Sequence, residues 1–314
     1  MILVTGGTGF IGQALIRHLV EAGHAVRTLI RPSQQSPNLP RGVPVEVAVT
    51  SLLDERGLRA ALVGVDTVYH LAGGEWRGTR VDLLETDIRA TQMLAEAAAT
   101  ARVERLFYVS HLDAERASAY PVLKAKAIAE EHIRRCGVDY TILRSAIVYG
   151  HNDSFTTGLA QLMHVLPLVF LLPGDGRNLL QPLWVEDLAT CLTWALDNDD
   201  TRNQTYEIGG PEYLTFAQIC QIVAENLRLS RRMLPVPPPY LRALTVLIDH
   251  LLPGLPISVY WLDYLAANRT AALDTLPRIF HLMPARFSQR LAYLRGQPWR
   301  RRLLRTLLNR PKQL

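Results

Sequence analysis

Short apolar runs alternate along the first half of the chain with stretches whose apolar residues return every three or four positions. Ile2–Thr5, Ala25–Ile30, Val45–Val49, Thr67–Leu71, Leu106–Ser110 and Thr141–Leu143 read as short strands buried on both faces. The stretches 10–22, 54–62, 83–100 and 121–136 carry the helical period; in the first of them Ile11, Leu15, Leu19 and Val20 share one face. This alternation predicts an α/β fold, a doubly wound parallel Rossmann sheet with helices on both faces and right-handed crossovers.

Beyond Gly150 the pattern loosens. Helices are expected near 154–165, 186–197 and 215–227, the last with Thr215 as N-cap, and a strand at Thr205–Ile208. The run Leu159 to Pro173 is short and carries His164 and Pro167, so it reads as a buried helix and loop rather than a membrane span. Leu234-Pro235-Val236-Pro237-Pro238-Pro239 is expected to be non-helical and to set off a helical C-terminal region, with helices near 239–252, 258–267, 270–276 and 284–295. The expected organisation is a dinucleotide-binding domain over 1–150, joined by elements from about 186–209, and a smaller, mostly helical lobe over 151–314.

Composition narrows the setting. Hydrophobic residues make up 48% and charged residues 20%, the balance of a globular protein. Cys136, Cys191 and Cys220 are odd in number and far apart, which suggests a reducing compartment without a disulfide framework. Neither a Cys-x-x-Cys pair nor a His-x-x-x-His spacing is present, so no metal site is expected. The chain opens directly on a core strand, which leaves no place for a signal peptide and points to the cytoplasm.

The most telling chemistry lies at the start. Thr5-Gly6-Gly7-Thr8-Gly9-Phe10-Ile11-Gly12 joins an apolar strand to a helix, the arrangement that cradles a pyrophosphate. Gly6 allows the sharp turn, Gly9 keeps side chains off the diphosphate, and Gly12 lets the helix lie against the strand. The helix N-terminus then presents unpaired N–H groups and partial positive charge. A nicotinamide dinucleotide is the expected ligand. An acid that would hold the adenosine ribose is replaced by Arg31 at the end of the second strand. A guanidinium suits a 2′-phosphate, which favours NADP(H) over NAD(H).

Further segments fall in the order seen in the short-chain dehydrogenase/reductase superfamily. They are His70-Leu71-Ala72-Gly73, Tyr108-Val109-Ser110, Leu143-Arg144-Ser145, Val148-Tyr149-Gly150, Trp184-Val185-Glu186-Asp187-Leu188-Ala189 and Tyr206-Glu207-Ile208-Gly209-Gly210-Pro211. With the glycine turn they cover about residues 1 to 230, and the chain resembles the extended and atypical, epimerase/dehydratase-like branches of that superfamily. Val109 to Ala114 is similar to the nucleotide-binding accessory subunit of respiratory complex I, and Tyr120 to Glu131 looks like photosystem II assembly factors. Those relatives bind a nucleotide in structural or assembly roles. The resemblance implies that Leu71, Ala72 and Gly73 follow the cofactor and that Ser110 and a lysine meet its nicotinamide end.

Enzymes of the superfamily use a Ser–Tyr–Lys set, in which the tyrosine exchanges a proton with the substrate oxygen and the lysine holds the ribose. Tyr120 and Lys124 have the required spacing. The family's lysine, however, usually precedes a glutamate by four residues, and Lys126 with Glu130 fits that better than Lys124 with Ile128. The tyrosine position then falls on Val122, and Pro121 biases Tyr120 away from helical geometry. Asp87 stands where enzymes keep an asparagine, Ser51 replaces an adenine-contacting aspartate, and Ser145 replaces a proline. His111 offers another proton donor, though an ordinary hydrogen-bonded histidine is the simpler reading. Two functions follow: an NADP(H)-binding structural or assembly protein, or an active reductase or epimerase-like enzyme using Ser110, Tyr120 and Lys124.

Charge adds one more feature. The net charge is +5, but from Arg290 onward there are eight Lys or Arg and no acid, so the preceding residues sum to −3. Within this tail (295–312), Trp299 to Asn309 would set Leu303, Leu304, Leu307 and Leu308 against Arg301, Arg302 and Arg305. Such a helix suits an anionic membrane surface or a membrane complex, and equally a packed terminal helix with a basic edge. Without an aromatic platform, nucleic-acid binding is not expected.

Overall fold

A computed structural model describes residues 1–33, 36–74, 82–166, 168–251 and 255–308. Its first elements follow the apolar pattern: β1 (Ile2–Thr5), α1 (Phe10–Glu21), β2 (Val26–Ile30), β3 (Glu46–Val49), α2 (Glu55–Ala61), β4 (Thr67–His70), α3 (Ala90–Thr100), β5 (Arg105–His111), α4 (Pro121–Arg135) and β6 (Asp139–Ser145). Residues further along form β7 (Val148–Tyr149), α5 (Thr156–Val165), β8 (Val169–Pro173), β9 (Leu179–Leu180), β10 (Leu183–Trp184), α6 (Val185–Trp194) and β11 (Gln204–Ile208). The C-terminal part adds β12 (Leu214–Thr215), α7 (Phe216–Asn226), β13 (Arg232–Val236), α8 (Pro238–Leu251), α9 (Val259–Tyr264), α10 (Thr275–Phe280) and α11 (Trp299–Leu308).

The main sheet has the order β11-β6-β5-β4-β1-β2-β3, and all its pairings are parallel. Alternate side chains feed two cores, as the strand period requires. Leu3, Val68, Leu106 and Tyr108 meet α2, α3 and α4 on one face. Ile2, Val4, Tyr69 and Phe107 meet α1 and α6 on the other. The expected α/β architecture is therefore present, with its strand order reversing between β1 and β4. Ligands bind at that reversal in folds of this kind. A third core, built on Phe155, Met163, Phe170, Phe216, Phe287 and Trp299, sits in the C-terminal part.

Five expectations need correction. The strand expected to be buried at Val45–Val49 is β3, the edge strand of the sheet, with Glu46, Val47 and Val49 exposed because one of its sides has no neighbouring strand. Only α5 of the stretch 159–173 is helical; Val169–Pro173 forms β8, which pairs in parallel with β13. Pro235 is tolerated because that ribbon has only two strands. Pro238 and Pro239 do enter a helix, at its first turn, where the missing N–H costs nothing. The helix expected at 270–276 lies at Thr275–Phe280. In 284–295 two 3-10 turns, Phe287–Gln289 and Ala292–Leu294, replace a helix. Their backbone bonds reach back three residues, Arg290 N to Phe287 O at 3.3 Å and Arg295 N to Ala292 O at 3.1 Å, and Ala285 N and Phe287 N donate to Asp187 and Glu212.

The tail helix α11 turns Trp299 and Leu303 into the protein, both buried, and packs on α5. Arg300 and Arg301 face solvent. The side chains of Arg305, Leu307 and Leu308, and the whole tail from Asn309 onward, lie outside the described residues. Among the described residues no helix is long and apolar enough to cross a membrane.

Candidate functional site

The C-terminal ends of β1, β4 and β5 lie side by side in the parallel sheet, and the glycine turn leaves β1 beside the loop that follows β4. Gly6 takes φ +75°, and a Cβ there would sit 2.7 Å from Ala72 N and Leu71 C. The turn is thus pressed against the Leu71–Ala72 loop, which Leu71 N ties to Thr5 O at 3.1 Å. A Cβ on Gly12 would come within 2.3 Å of Gly6 O, so this glycine sets how closely α1 approaches the turn. At Gly9, Gly6 O at 3.1 Å is the one neighbour within 4 Å among the described residues. Gly9 also caps α1 without a side chain, leaving the first N–H groups of the helix uncovered by any cap. Thr8 and Gly9 are exposed, while Thr5 is buried and Phe10 and Ile11 are partly so. Gly7 was not anticipated: its Cβ would collide with Thr28 Oγ1 at 2.1 Å, a contact visible only once β1 and β2 pair. Arg31 follows β2 and is exposed.

A buried polar chain runs beneath this turn. Thr5 Oγ1 bonds His70 Nδ1 at 2.7 Å, and His70 Nε2 bonds Thr91 Oγ1 at 2.8 Å. Thr91 in turn donates to the carbonyl of Asp87 at 2.5 Å. Asp87 sits in a turn of π-helix, Leu84–Arg89, that precedes α3 and turns this carboxylate inward. Its Oδ2 accepts from Thr86 Oγ1 at 3.0 Å and Gly74 N at 3.3 Å, and its Oδ1 lies 3.1 Å from Lys126 Nζ. Lys126 also stands over the Tyr108 ring, 5.5 Å from its centroid.

The two candidate lysines are sharply different. Lys126 is 3% exposed on the face of α4 that meets the sheet, whereas Lys124 is exposed to solvent. Tyr120 precedes the helix as its N-cap, with extended dihedrals of φ −91° and ψ 117°. Its carbonyl accepts from Lys124 N at 3.1 Å, and its ring lies 5.7 Å from the Arg269 guanidinium carbon. Val122 is partly buried one turn before Lys126. Glu130, fully buried, holds Arg144 and Arg134 at 2.8 Å each, so the Leu-Arg segment is a structural tie.

Ser110 is the penultimate residue of β5, on the same face as Tyr108. It is 2% exposed, and its Oγ has no hydrogen-bond partner among the described residues. An orphaned buried hydroxyl is costly unless something meets it. His111 points to the other face, toward Tyr260 and Tyr264 of α9. These residues, Tyr120 and Arg269 line a small cleft. Arg269 is itself committed: Nη1 bonds Asp113 at 2.7 Å and Nε bonds the Tyr264 carbonyl at 3.0 Å. Burial pushes the Tyr264 phenol above its ordinary pKa, so it remains protonated. Ser51 accepts from Leu53 N, and Ser145 donates to the Ala146 carbonyl. Among the described residues no His, Cys, Asp or Glu group could hold a metal.

The parts present fit a dinucleotide: a glycine cradle that a Cβ would fill, an uncapped helix start, and a buried hydroxyl without a partner among the described residues near the C-terminal end of β5. Comparison with known proteins agrees. The chain is 28% identical over 290 residues to NADH dehydrogenase [ubiquinone] 1 alpha subcomplex subunit 9 of Arabidopsis thaliana, covering 87% of this chain and 70% of that one. It spans 63%, less than two thirds, of the rat protein of the same name. It is also 28% identical over 257 residues to a ceramide reductase of Caulobacter vibrioides, covering 79% of this chain and 77% of that one. The structure of a triphenylmethane reductase from Citrobacter superposes with a TM-score of 0.76 at 21% identity, covering 93% of this chain and 99% of that one. The sequence profile of the NAD(P)H-binding family matches residues 6–162, half of the chain, and the protein belongs to that family.

Proposed function

We propose that the protein binds one NADP(H) as a structural cofactor and serves in assembly or scaffolding, without Tyr–Lys turnover. Thr5, Gly6, Thr8, Gly9, Phe10, Ile11 and Gly12 would hold the diphosphate, and Arg31 the 2′-phosphate. Leu71, Ala72 and Gly73 would follow the cofactor to Ser110 and Lys126 at the nicotinamide ribose. A bound nicotinamide could supply or accept hydride.

One observation carries this reading: the buried lysine is paired with Asp87, and valine occupies the place one turn before it. A phenol there would have been positioned by the helix, and none is. Similarity to proteins named as subunits of NADH dehydrogenase [ubiquinone] supports a role within an assembly. The exposed arginines of α11 would add electrostatic attraction to a membrane surface or membrane complex, since the apolar residues Trp299 and Leu303 are spent on packing. Steady-state assays with NADPH and a panel of carbonyl substrates test the reading. It requires NADPH binding with no turnover above background. Turnover that disappears in Tyr120→Phe would overturn it.

A second reading has a specific observation in its favour. The unpartnered Ser110 hydroxyl lies where a reductase would polarise a substrate carbonyl, and reductases stand among the similar proteins. It assigns proton transfer to Tyr120 with Lys124, and the same assay separates the two.

A further inference from the structure

We propose that the outer face of α8 lies on an anionic lipid bilayer. A helix at the surface of a globular protein normally turns polar residues outward. In α8 the sequence is Pro-Pro-Tyr-Leu-Arg-Ala-Leu-Thr-Val-Leu-Ile-Asp-His-Leu. Leu241 and Thr245 are buried, while Tyr240 is 73% exposed, Leu244 40%, Leu247 55% and Leu251 64%. Those four follow each other at intervals of four, three and four residues, so they form one stripe along the helix. Val246, 52% exposed, and Ala243 widen it, and with Pro239 and Arg242 they line a shallow apolar groove. Scattered exposed apolar residues are ordinary, but a continuous stripe marks a contact surface.

Charge selects the occupant. Residues 231–314 contain 13 Arg and 1 Lys against 3 Asp and no Glu, a net of +11, so residues 1–230 sum to −6 within the total of +5. The lobe with the apolar stripe is thus strongly cationic while the rest of the chain is acidic. Two such lobes repel each other face to face, which disfavours a second copy. An anionic membrane satisfies both features, taking the apolar stripe among its acyl chains and attracting the arginines. At 14 residues α8 is too short to cross a bilayer and would lie in its plane. Tyr240 has the amphipathic ring suited to that interface.

The geometry also joins this face to the cleft. Arg242 pairs with Asp263 of α9, and α9 contributes Tyr260, Asp263 and Tyr264 to the cleft beside Tyr120 and His111. Docking through α8 would bring that cleft next to lipid head groups. The inference does not rest on the cofactor reading.

Sedimentation of the NADPH-treated full chain with vesicles tests it, using phosphatidylcholine alone and phosphatidylcholine mixed with phosphatidylglycerol. The wild type is expected to sediment with the mixed vesicles and to stay in solution with the neutral ones. Val246→Asp/Leu247→Asp should weaken binding by about tenfold or more. Val63→Asp, at an apolar residue 70% exposed on the nucleotide-binding side, should leave it unchanged. A double variant that binds like the wild type overturns the proposal, as does a wild type that ignores both vesicles. A wild-type dimer that the double variant converts to monomer, or binding to an acidic protein alone, overturns it as well. Should the double variant fail to fold, Leu244→Cys carrying an environment-sensitive dye in a Cys136→Ser background gives a second readout. Its emission should shift to the blue with mixed vesicles, and an unmoved spectrum contradicts the proposal. NADPH affinity in the same samples reports separately on the cofactor reading.

Discussion

Lys126 Nζ stands 3.1 Å from Asp87 Oδ1, and both side chains are almost wholly removed from water. A buried ammonium needs a nearby counter-charge, and a carboxylate placed by the π-turn supplies it. Removing one partner leaves the other charge stranded. Asp87→Ala should therefore lower unfolding stability by about 3–5 kcal/mol. Replacing both, as Asp87→Leu/Lys126→Met, should recover most of that loss. Urea unfolding of the three proteins checks this; a double variant as unstable as the single one would count against the pairing.

The glycines separate folding from binding. Gly9→Ala should keep most of its stability, since a Cβ there meets Gly6 O at 3.1 Å and needs only a small shift, yet should lose nucleotide because the methyl stands where the diphosphate would approach the turn. Gly6→Ala must hold φ +75° with a Cβ against the Leu71–Ala72 backbone, at a strain of roughly 1–2 kcal/mol before any clash. Gly12→Ala would push α1 off the turn. Melting temperature and NADPH fluorescence, measured together, should show Gly9→Ala impaired mainly in the second and the other two impaired in both.

Cofactor choice should follow Arg31. With Asp at this position, the 2′-phosphate of NADP(H) meets repulsion and the ribose hydroxyls of NAD(H) gain an acceptor. The ratio of the two dissociation constants should move toward NAD(H) by at least about tenfold. An unchanged ratio would remove Arg31 from the site.

Acid should loosen the contact between α1 and α6. Glu186 accepts from His18 Nε2 at 2.8 Å and pairs with Arg17 at 2.7 Å, and the His18 bond chiefly holds its pKa below the usual glutamate value. A carboxyl lowered by folding stabilises the native state above its unfolded pKa of 4.5, and that stabilisation fades as pH falls through the lower folded value. Unfolding free energy should therefore decline on acidification below about pH 5, and Glu186→Gln should decline less steeply over the same interval.

The nucleotide-binding half was legible because most of its strands centre on a short run of apolar residues followed by a turn or a helix start; β3, whose Val47 and Val49 are exposed at the sheet edge, was legible as a strand but not in its burial. The glycine turn was legible for the same local reason. Gly7 escaped notice because Thr28, the atom that excludes a side chain there, arrives only through strand pairing. The ribbon of β8 and β13 joins residues about sixty positions apart, and Pro235 disguises one strand. At Asp87 the sequence announced only a departure from the family. Its contact with Lys126 depends on the π-turn, which a helical period does not reveal. The helix expected at 284–295 is replaced by two tighter turns whose backbone bonds span three residues, Arg290 N to Phe287 O and Arg295 N to Ala292 O, while Phe287, Leu291 and Leu294 are drawn into the C-terminal core, a tertiary contact that local spacing does not reveal.

The most direct measurement is native mass spectrometry of the purified protein, before and after NADPH is added, alongside its melting temperature. The account predicts a single dinucleotide adduct per chain and a melting temperature raised by several degrees when NADPH is in large excess. A chain that stays at its apo mass and melts unchanged with either coenzyme would contradict it.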